Sequence, residues 1–213
     1  MIQIAHRGYS DLFGDNNIES FLQAIHSGFD MIEMDVQLCK TGEIVVFHDT
    51  YLNNRAIIDC TLKELDEQNI ITLDNVLNTI KLNNSLKLYF DIKGNSNVIY
   101  PLIDMLRSHF SRVQLRRIYI SGFNRTFVKP LIASKLPVRI GLTTENMYEK
   151  EDLDYLTKNM NFVCLHWTAL SHENIEMLHQ KGILVYSYTC KDAYILEYMK
   201  QYKLDGIVTN YLL

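Results

Sequence analysis

The stretch Met31-Ile32-Glu33-Met34-Asp35-Val36-Gln37-Leu38-Cys39-Lys40-Thr41-Gly42-Glu43-Ile44-Val45-Val46-Phe47 contains two extended runs, and the distance between them decides the fold class. Met31–Val36 alternates, which puts Ile32, Met34 and Val36 on one face and Glu33 and Asp35 on the other. Ile44–Phe47 follows after only seven residues, whereas a parallel crossover takes about a dozen or more. The second run is therefore expected as the returning arm of a hairpin turned at Lys40-Thr41-Gly42-Glu43.

With that arm set aside, strand-like runs remain at Ile2–His6, Met31–Val36, Leu86–Ile92, Arg117–Ser121, Val138–Gly141, Phe162–Leu165, Ile183–Tyr188 and Gly206–Thr209. Between them lie helical patterns at Ile18–Ser27, Thr61–Gln68 with Leu73–Lys81, Val98–Phe110, Thr126–Ser134, Glu151–Lys158, Ser171–Gln180 and Asp192–Gln201. Thr61-Leu-Lys-Glu64 reads as a capping box and Ser171 as an N-cap. Eight strands, each crossing to the next through a helix, give an α/β (β/α)8 TIM-type barrel of one domain, residues 1–213, with a β-hairpin after strand two. A doubly wound open sheet produces the same alternation and is the alternative. Only four residues follow Thr209, so no full final helix is expected. The outside of strand eight is then left for another contact, such as a second copy of the chain.

Composition limits the partners. Of 213 residues 47% are apolar, and the formal net charge is −4, with no long run of one sign, so nucleic acid is not an expected partner. The opening MIQIAHRGYS lacks a signal-peptide pattern and no apolar run is long enough for a membrane span, so a cytoplasmic protein without stable membrane insertion is expected. Cys39, Cys60, Cys164 and Cys190 form no C-x-x-C pair, which favours free thiols over a zinc knuckle or disulfide framework.

Chemistry gathers at the ends of the first strands, where barrel enzymes carry their active sites. Glu33 and Asp35 point inward from strand two. In Leu86-Lys87-Leu88-Tyr89-Phe90-Asp91-Ile92-Lys93, Asp91 and Lys93 do the same from strand three. Three carboxylates without clustered Cys or His suit one hard divalent cation, Mg²⁺ or Ca²⁺. His6 and Arg7 end strand one beside Gly8, whose freedom to turn would bring both side chains to the mouth. The hairpin returns His48 to the same rim. These two histidines are the candidate proton carriers, while His26, His109, His172 and His179 fall on helices as solvated residues and His166, beside Trp167, is a candidate pocket residue. Three carboxylates, one divalent ion, Arg7 and Lys93 leave a single formal positive charge, which a phosphodiester would neutralise.

These residues resemble the glycerophosphodiester phosphodiesterase family. The likeness lies in His6-Arg7-Gly8, Asp15-Asn16-Asn17-Ile18-Glu19-Ser20-Phe21, Gly28, Ile32-Glu33-Met34-Asp35-Val36, Thr41-Gly42 and His48-Asp49. It resumes at Phe90-Asp91-Ile92-Lys93, Ser121-Gly122-Phe123, Val185-Tyr186-Ser187-Tyr188 and Asp205-Gly206-Ile207-Val208-Thr209. The resemblance implies a distorted barrel that hydrolyses small glycerophosphodiesters to glycerol 3-phosphate and an alcohol. It implies Glu33, Asp35 and Asp91 as metal ligands, His6 and His48 as an acid–base pair, and Arg7 and Lys93 as phosphate contacts. A lyso-phospholipase D or phosphodiester lyase acting on a lipid, or a catalytically silent phosphate-binding barrel, are the alternatives. The chain departs from the family in Gly14-Asp15-Asn16-Asn17 for Pro-Glu-Asn-Thr, in Asp91 for Glu, in Asn210 for Asp, and in an abridged stretch after His48. By that likeness Asp15 would be a shortened acid near the metal.

Overall fold

The computed structural model describes residues 1–80 and 85–213. β1 (Ile2–Ala5) leads through the short α1 (Ser10–Phe13) and α2 (Ile18–His26) to β2 (Met31–Leu38). β3 (Ile44–Val46) turns back on β2, and a small ribbon of β4 (Tyr51–Leu52) and β5 (Arg55–Ala56) follows. After α3 (Leu62–Asp66) and α4 (Leu73–Thr79) the chain enters β6 (Lys87–Ile92), then α5 (Ile99–His109), α6 (Arg112–Leu115) and β7 (Ile118–Gly122). The remainder alternates: α7 (Val128–Ala133), β8 (Arg139–Thr144), α8 (Lys150–Leu156), β9 (Phe162–His166), α9 (His172–Gln180), β10 (Leu184–Cys190), α10 (Ala193–Met199) and β11 (Gly206–Thr209).

Eight of these strands run parallel in the order β1-β2-β6-β7-β8-β9-β10-β11, and β11 pairs with β1 again. The seam between β1 and β2 is short, Ile4 opposite Met31 and Ala5 opposite Ile32, but it closes the sheet into a barrel and excludes the doubly wound alternative. β2 outruns that seam. Its upper end, Val36–Leu38, pairs instead with antiparallel β3, so the hairpin stands on the barrel rim. No helix follows β11, and Tyr211 packs against the apolar cluster that holds Leu204 and Ile207. Among the described residues no helix is long and apolar enough to cross a membrane. All four cysteines are free and buried.

The alternation of apolar residues explains the layers. Ile32, Met34, Val36, Leu88 and Phe90 face outward into a buried cluster with Phe21, Leu102 and Ile120. Inside the barrel, Ile4, Met31, Tyr119, Phe162, Tyr186 and Val208 form a separate plug. The Phe162 ring is its centre, with ring centroids 5.5 Å from Tyr89 and 5.4 Å from both Tyr119 and Tyr186. Gly141 sits opposite Phe162 across the β8–β9 ladder, and a Cβ there would run into that ring.

Several short elements escape the hydrophobic pattern. α1 buries none of its residues, and so leaves no periodic signal. The β4–β5 ribbon turns on Asn53 and Asn54, both at positive φ (49° and 64°), a conformation Asn tolerates better than most residues. α6 is set off from α5 by a capping box between Ser111 and Gln114, a signal the sequence does carry. α4 ends at Thr79; the expected extension to Lys81 reaches beyond the described residues. His109 and His179 are not simply solvated, since each ring lies against an acid, Asp74 at 3.2 Å and Asp205 at 2.9 Å. Replacing Gly141 by Ala should lower stability by about 1–3 kcal/mol, the usual cost of overfilling a packed core, as read by urea denaturation; an unchanged midpoint would mean the plug is slack.

Candidate active site

Register brings the acids together. β2 and β6 pair so that Asp35 stands opposite Asp91, and β7 places Ser121 opposite Asp91 in turn. Glu33 sits two residues below Asp35 on the same inward face. Ligand atoms of Glu33, Asp35 and Asp91 all lie within 4.8 Å of one another, and all three residues are buried. Lys93, at the end of β6, reaches back with Nζ 2.6 Å from Asp91 Oδ2 and 3.3 Å from Asp35 Oδ1.

The end of β1 wraps around these acids. Arg7 adopts a left-handed backbone (φ 56°), followed by Gly8 at φ 83°, and the Arg7 amide thereby donates to Glu33 Oε2 at 2.9 Å. A side chain at Gly8 would collide with Ser20. The Arg7 guanidinium places Nε 3.1 Å from Asp35 Oδ2 and Nη1 2.6 Å from Asp15 Oδ2. Asp15 is therefore the partner of Arg7, half-exposed and outside the acid triad, linked to it through the Arg7 guanidinium. Arg7 itself does not line the central cavity. Asn16 clasps Asp35 from the other side, donating Nδ2 to Oδ2 at 2.8 Å and accepting from the Asp35 amide at 3.3 Å.

Both histidines reach the cavity. His6 Nδ1 donates to Asn210 Oδ1 at 2.7 Å, which leaves the lone pair on Nε2. The Asn210 backbone is pinned by bonds to Cys190 O and from the Asp11 amide. His48 arrives on the hairpin: the Phe47 amide donates to Asp35 O at 3.1 Å, and Gln37 Nε2 donates to the Phe47 and Asp49 carbonyls that flank it. Asp49 Oδ1 accepts from His48 Nδ1 at 2.7 Å. Together with the triad, Lys93, Tyr89, Thr143, Phe123, His166, Trp167 and Tyr188, the histidines enclose a cavity of about 310 Å³.

Charge is unevenly compensated. Burial pushes the Glu33 carboxyl well above its usual range, and Asp35 and Asp91 push it further. Burial acts on Asp35 in the same direction, but Lys93, Arg7 and the Asn16 amide outweigh it and hold Asp35 below the usual range. Asp91 is raised by burial, which Lys93 offsets only in part. Lys93 stays firmly charged, because Asp91 and Asp35 overcome its own desolvation. His6 is pushed down to about 4, first by burial and then by Arg7, so it is neutral at pH 7. Three buried carboxylates with too little positive charge, all hard oxygen donors, suit a divalent cation such as Mg²⁺ or Ca²⁺.

Of the seven residues that the sequence reading named, the structure sets six, His6, Glu33, Asp35, His48, Asp91 and Lys93, around the cavity and Arg7 behind Asp35; Glu145 and Lys191, which also line it, were not named. The sequence reading also missed the orienting partners: Asn16 on Asp35, Asn210 on His6 and Gln37 under His48. Asn16 lies within a recognised segment and Asn210 was noted as a departure from the family, but their contacts span 19 and 204 residues, and no local pattern records such a pairing.

Comparison with known proteins points to one family. A model of the glycerophosphoryl diester phosphodiesterase family matches residues 6–213. A glycerophosphodiester phosphodiesterase of Bacillus altitudinis is 26% identical, over 97% of this chain and 93% of its own length. Another from Caldanaerobacter subterraneus is 27% identical over the same shares. Among solved structures, a glycerophosphodiester phosphodiesterase from Parabacteroides distasonis matches with a TM-score of 0.84 at 24% identity, over 98% of this chain and 92% of that one. An Oleispira antarctica phosphodiesterase, in complex with the product sn-glycerol-3-phosphate, matches with 0.83 at 22% identity, over 99% and 93%. At such identities the structural likeness speaks for the fold.

Lys93 is the cation between two buried acids, so Lys93→Met should destabilise the metal-free protein by about 3 kcal/mol. Added Mg²⁺ or Ca²⁺ should restore part of that loss by binding the folded state. Chemical denaturation with and without the ions tests this, and an undiminished midpoint would show that Lys93 is not the compensating charge.

Proposed function

The chain belongs to the glycerophosphoryl diester phosphodiesterase family, and on that footing we propose that it converts a glycerophosphodiester and water to glycerol 3-phosphate and an alcohol, with His6 and His48 as the acid–base pair. Hydrolysis of phosphodiesters comes with the membership itself. The finer reading is supported by one observation: a buried acid triad, Lys93 and two histidines from different elements face a single cavity. The product held by the Oleispira antarctica phosphodiesterase supports glycerol 3-phosphate as the product here. In this reading residues 1–213 form one catalytic domain.

Glu33, Asp35 and Asp91 would hold one divalent cation, Mg²⁺ or Ca²⁺. When bound, such an ion polarises a phosphoryl oxygen and neutralises developing charge. Lys93, on the cavity wall, binds another phosphoryl oxygen. Arg7 keeps Asp35 ionised through Nε and braces Asp15 through Nη1; it sits outside the cavity lining, and for the phosphate contact assigned to it the side chain would turn Nη2 into the cavity when substrate enters. His6, neutral and with Nε2 unprotonated, accepts the proton from the attacking hydroxyl. His48, on the rim beside Asp49, delivers a proton to the departing alkoxide; its place at the opening suits a group that must meet alcohols of different size.

Each of His6→Ala and His48→Ala should reduce turnover of glycerophosphocholine by about 10²–10⁴. The two should diverge on a p-nitrophenyl diester, whose leaving group needs no proton: His48→Ala should recover most of its rate there and His6→Ala should not. Equal losses on both substrates would overturn the assignment of roles. Chelation should abolish turnover and Mg²⁺ or Ca²⁺ should return it, with phosphorus NMR showing glycerol 3-phosphate; an accumulating cyclic phosphate would instead indicate a lyase.

A further inference from the structure

The hydroxyls of the cavity floor are already engaged. Tyr89 lies 2.6 Å from Ser121 Oγ and 3.1 Å from Thr143 Oγ1, and Thr143 donates to Asp91 Oδ1 at 3.2 Å. Tyr188 differs. It lines the same cavity, yet its hydroxyl oxygen is buried and has no hydrogen-bond partner among the described residues. Few buried polar groups are left this way, because an unmade bond costs more than a made one returns. Among the described residues, the other buried side-chain atoms without a hydrogen bond belong to Ser10, Arg125, Ser187 and Arg7, whose Nε is instead ion-paired with Asp35, and none of these residues lines the cavity.

The ring is fixed in this position. It meets Phe123 edge-on, with centroids 6.3 Å apart and planes at 90°, and meets His166 at 5.3 Å and 73°. Those contacts keep the hydroxyl turned inward. Lys93 Nζ lies 5.2 Å from the centroid of the same Phe123 ring, so Tyr188 and the phosphate-seeking ammonium share one wall. Burial raises the Tyr188 hydroxyl well above its ordinary range, with Cys164, Asp91 and Glu145 adding to the effect, so the group keeps its proton and is available as a donor.

We propose that the Tyr188 hydroxyl is a substrate-binding group that donates a hydrogen bond to a nonbridging oxygen of the phosphoryl group seated beside Lys93. This inference rests on the phosphodiesterase reading above. It makes Tyr188 a group whose hydrogen bond is completed only when the anion enters, so the free protein carries the unmade bond and the complex does not.

Tyr188→Phe removes the hydroxyl and keeps the ring, and three measurements on the full chain test the proposal. The denaturation midpoint of the free variant should equal or exceed that of the parent, since no protein bond is lost. Its kcat/KM on glycerophosphocholine should fall by about tenfold or more, and its affinity for glycerol 3-phosphate, by calorimetry, should fall by about fivefold or more, the range expected for one hydrogen bond to a charged oxygen. A lowered midpoint would show that the hydroxyl has a structural partner, and unchanged turnover and binding would show that it never meets the phosphoryl group; either result overturns the proposal. A parent protein that turns over diesters while the variant matches it removes this inference alone. A parent that neither hydrolyses the diester nor binds glycerol 3-phosphate removes the underlying reading as well.

Discussion

Three carboxylates buried at one end of a closed sheet repel one another and lose their hydration, and everything around the cavity answers that cost. Lys93 spans Asp91 and Asp35, the Arg7 guanidinium and Asn16 amide hold Asp35, and the Arg7 backbone amide supports Glu33. The compensation is graded. Asp35 is kept ionised while Glu33 is pushed toward its neutral form. That asymmetry leaves the site short of positive charge, which a divalent cation held by the three carboxylates would supply.

The barrel makes such an arrangement tolerable because its lower half is closely packed. Phe162, filling the space left by Gly141 and packed edge-on against Tyr89 and Tyr119, fixes the strands below the acids. Tyr89 belongs to both layers, with its ring in the apolar plug and its hydroxyl in the chain through Ser121 and Thr143 to Asp91. Position is thus transmitted upward from packing to hydrogen bonds to carboxylate, along covalent and directional contacts, leaving little room for the acids to move apart.

Above the acids the site is built from excursions of the chain and not from strands. Left-handed Arg7 and Gly8 fold the end of β1 over Glu33, and the β2–β3 hairpin carries His48 back to Asp35, with Gln37 gripping the carbonyls on either side of it. His6 and His48 come from segments with no sequence relation, and they differ in environment. His6, held neutral by desolvation and by Arg7, is bonded to an amide; His48 is half-exposed and bonded to a carboxylate. One protein therefore presents two imidazoles with different hydrogen-bond partners to the same cavity.

The sequence alone determined the strand alternation, the hairpin and the three inward acids, because each is written in a short-range pattern: period two for strands, seven residues between the two extended runs, acids on one parity of adjacent strands. What only the tertiary structure decided is which groups meet. Closure through Ile4 and Met31 could not be read from an alternation that an open sheet shares. Asp15 went to Arg7 and not to the acid cluster, and Asn210 went to His6 across nearly the whole chain, because these choices follow from strand register and loop conformation. Register and loop paths are set by long-range packing, and a linear pattern contains no term for it.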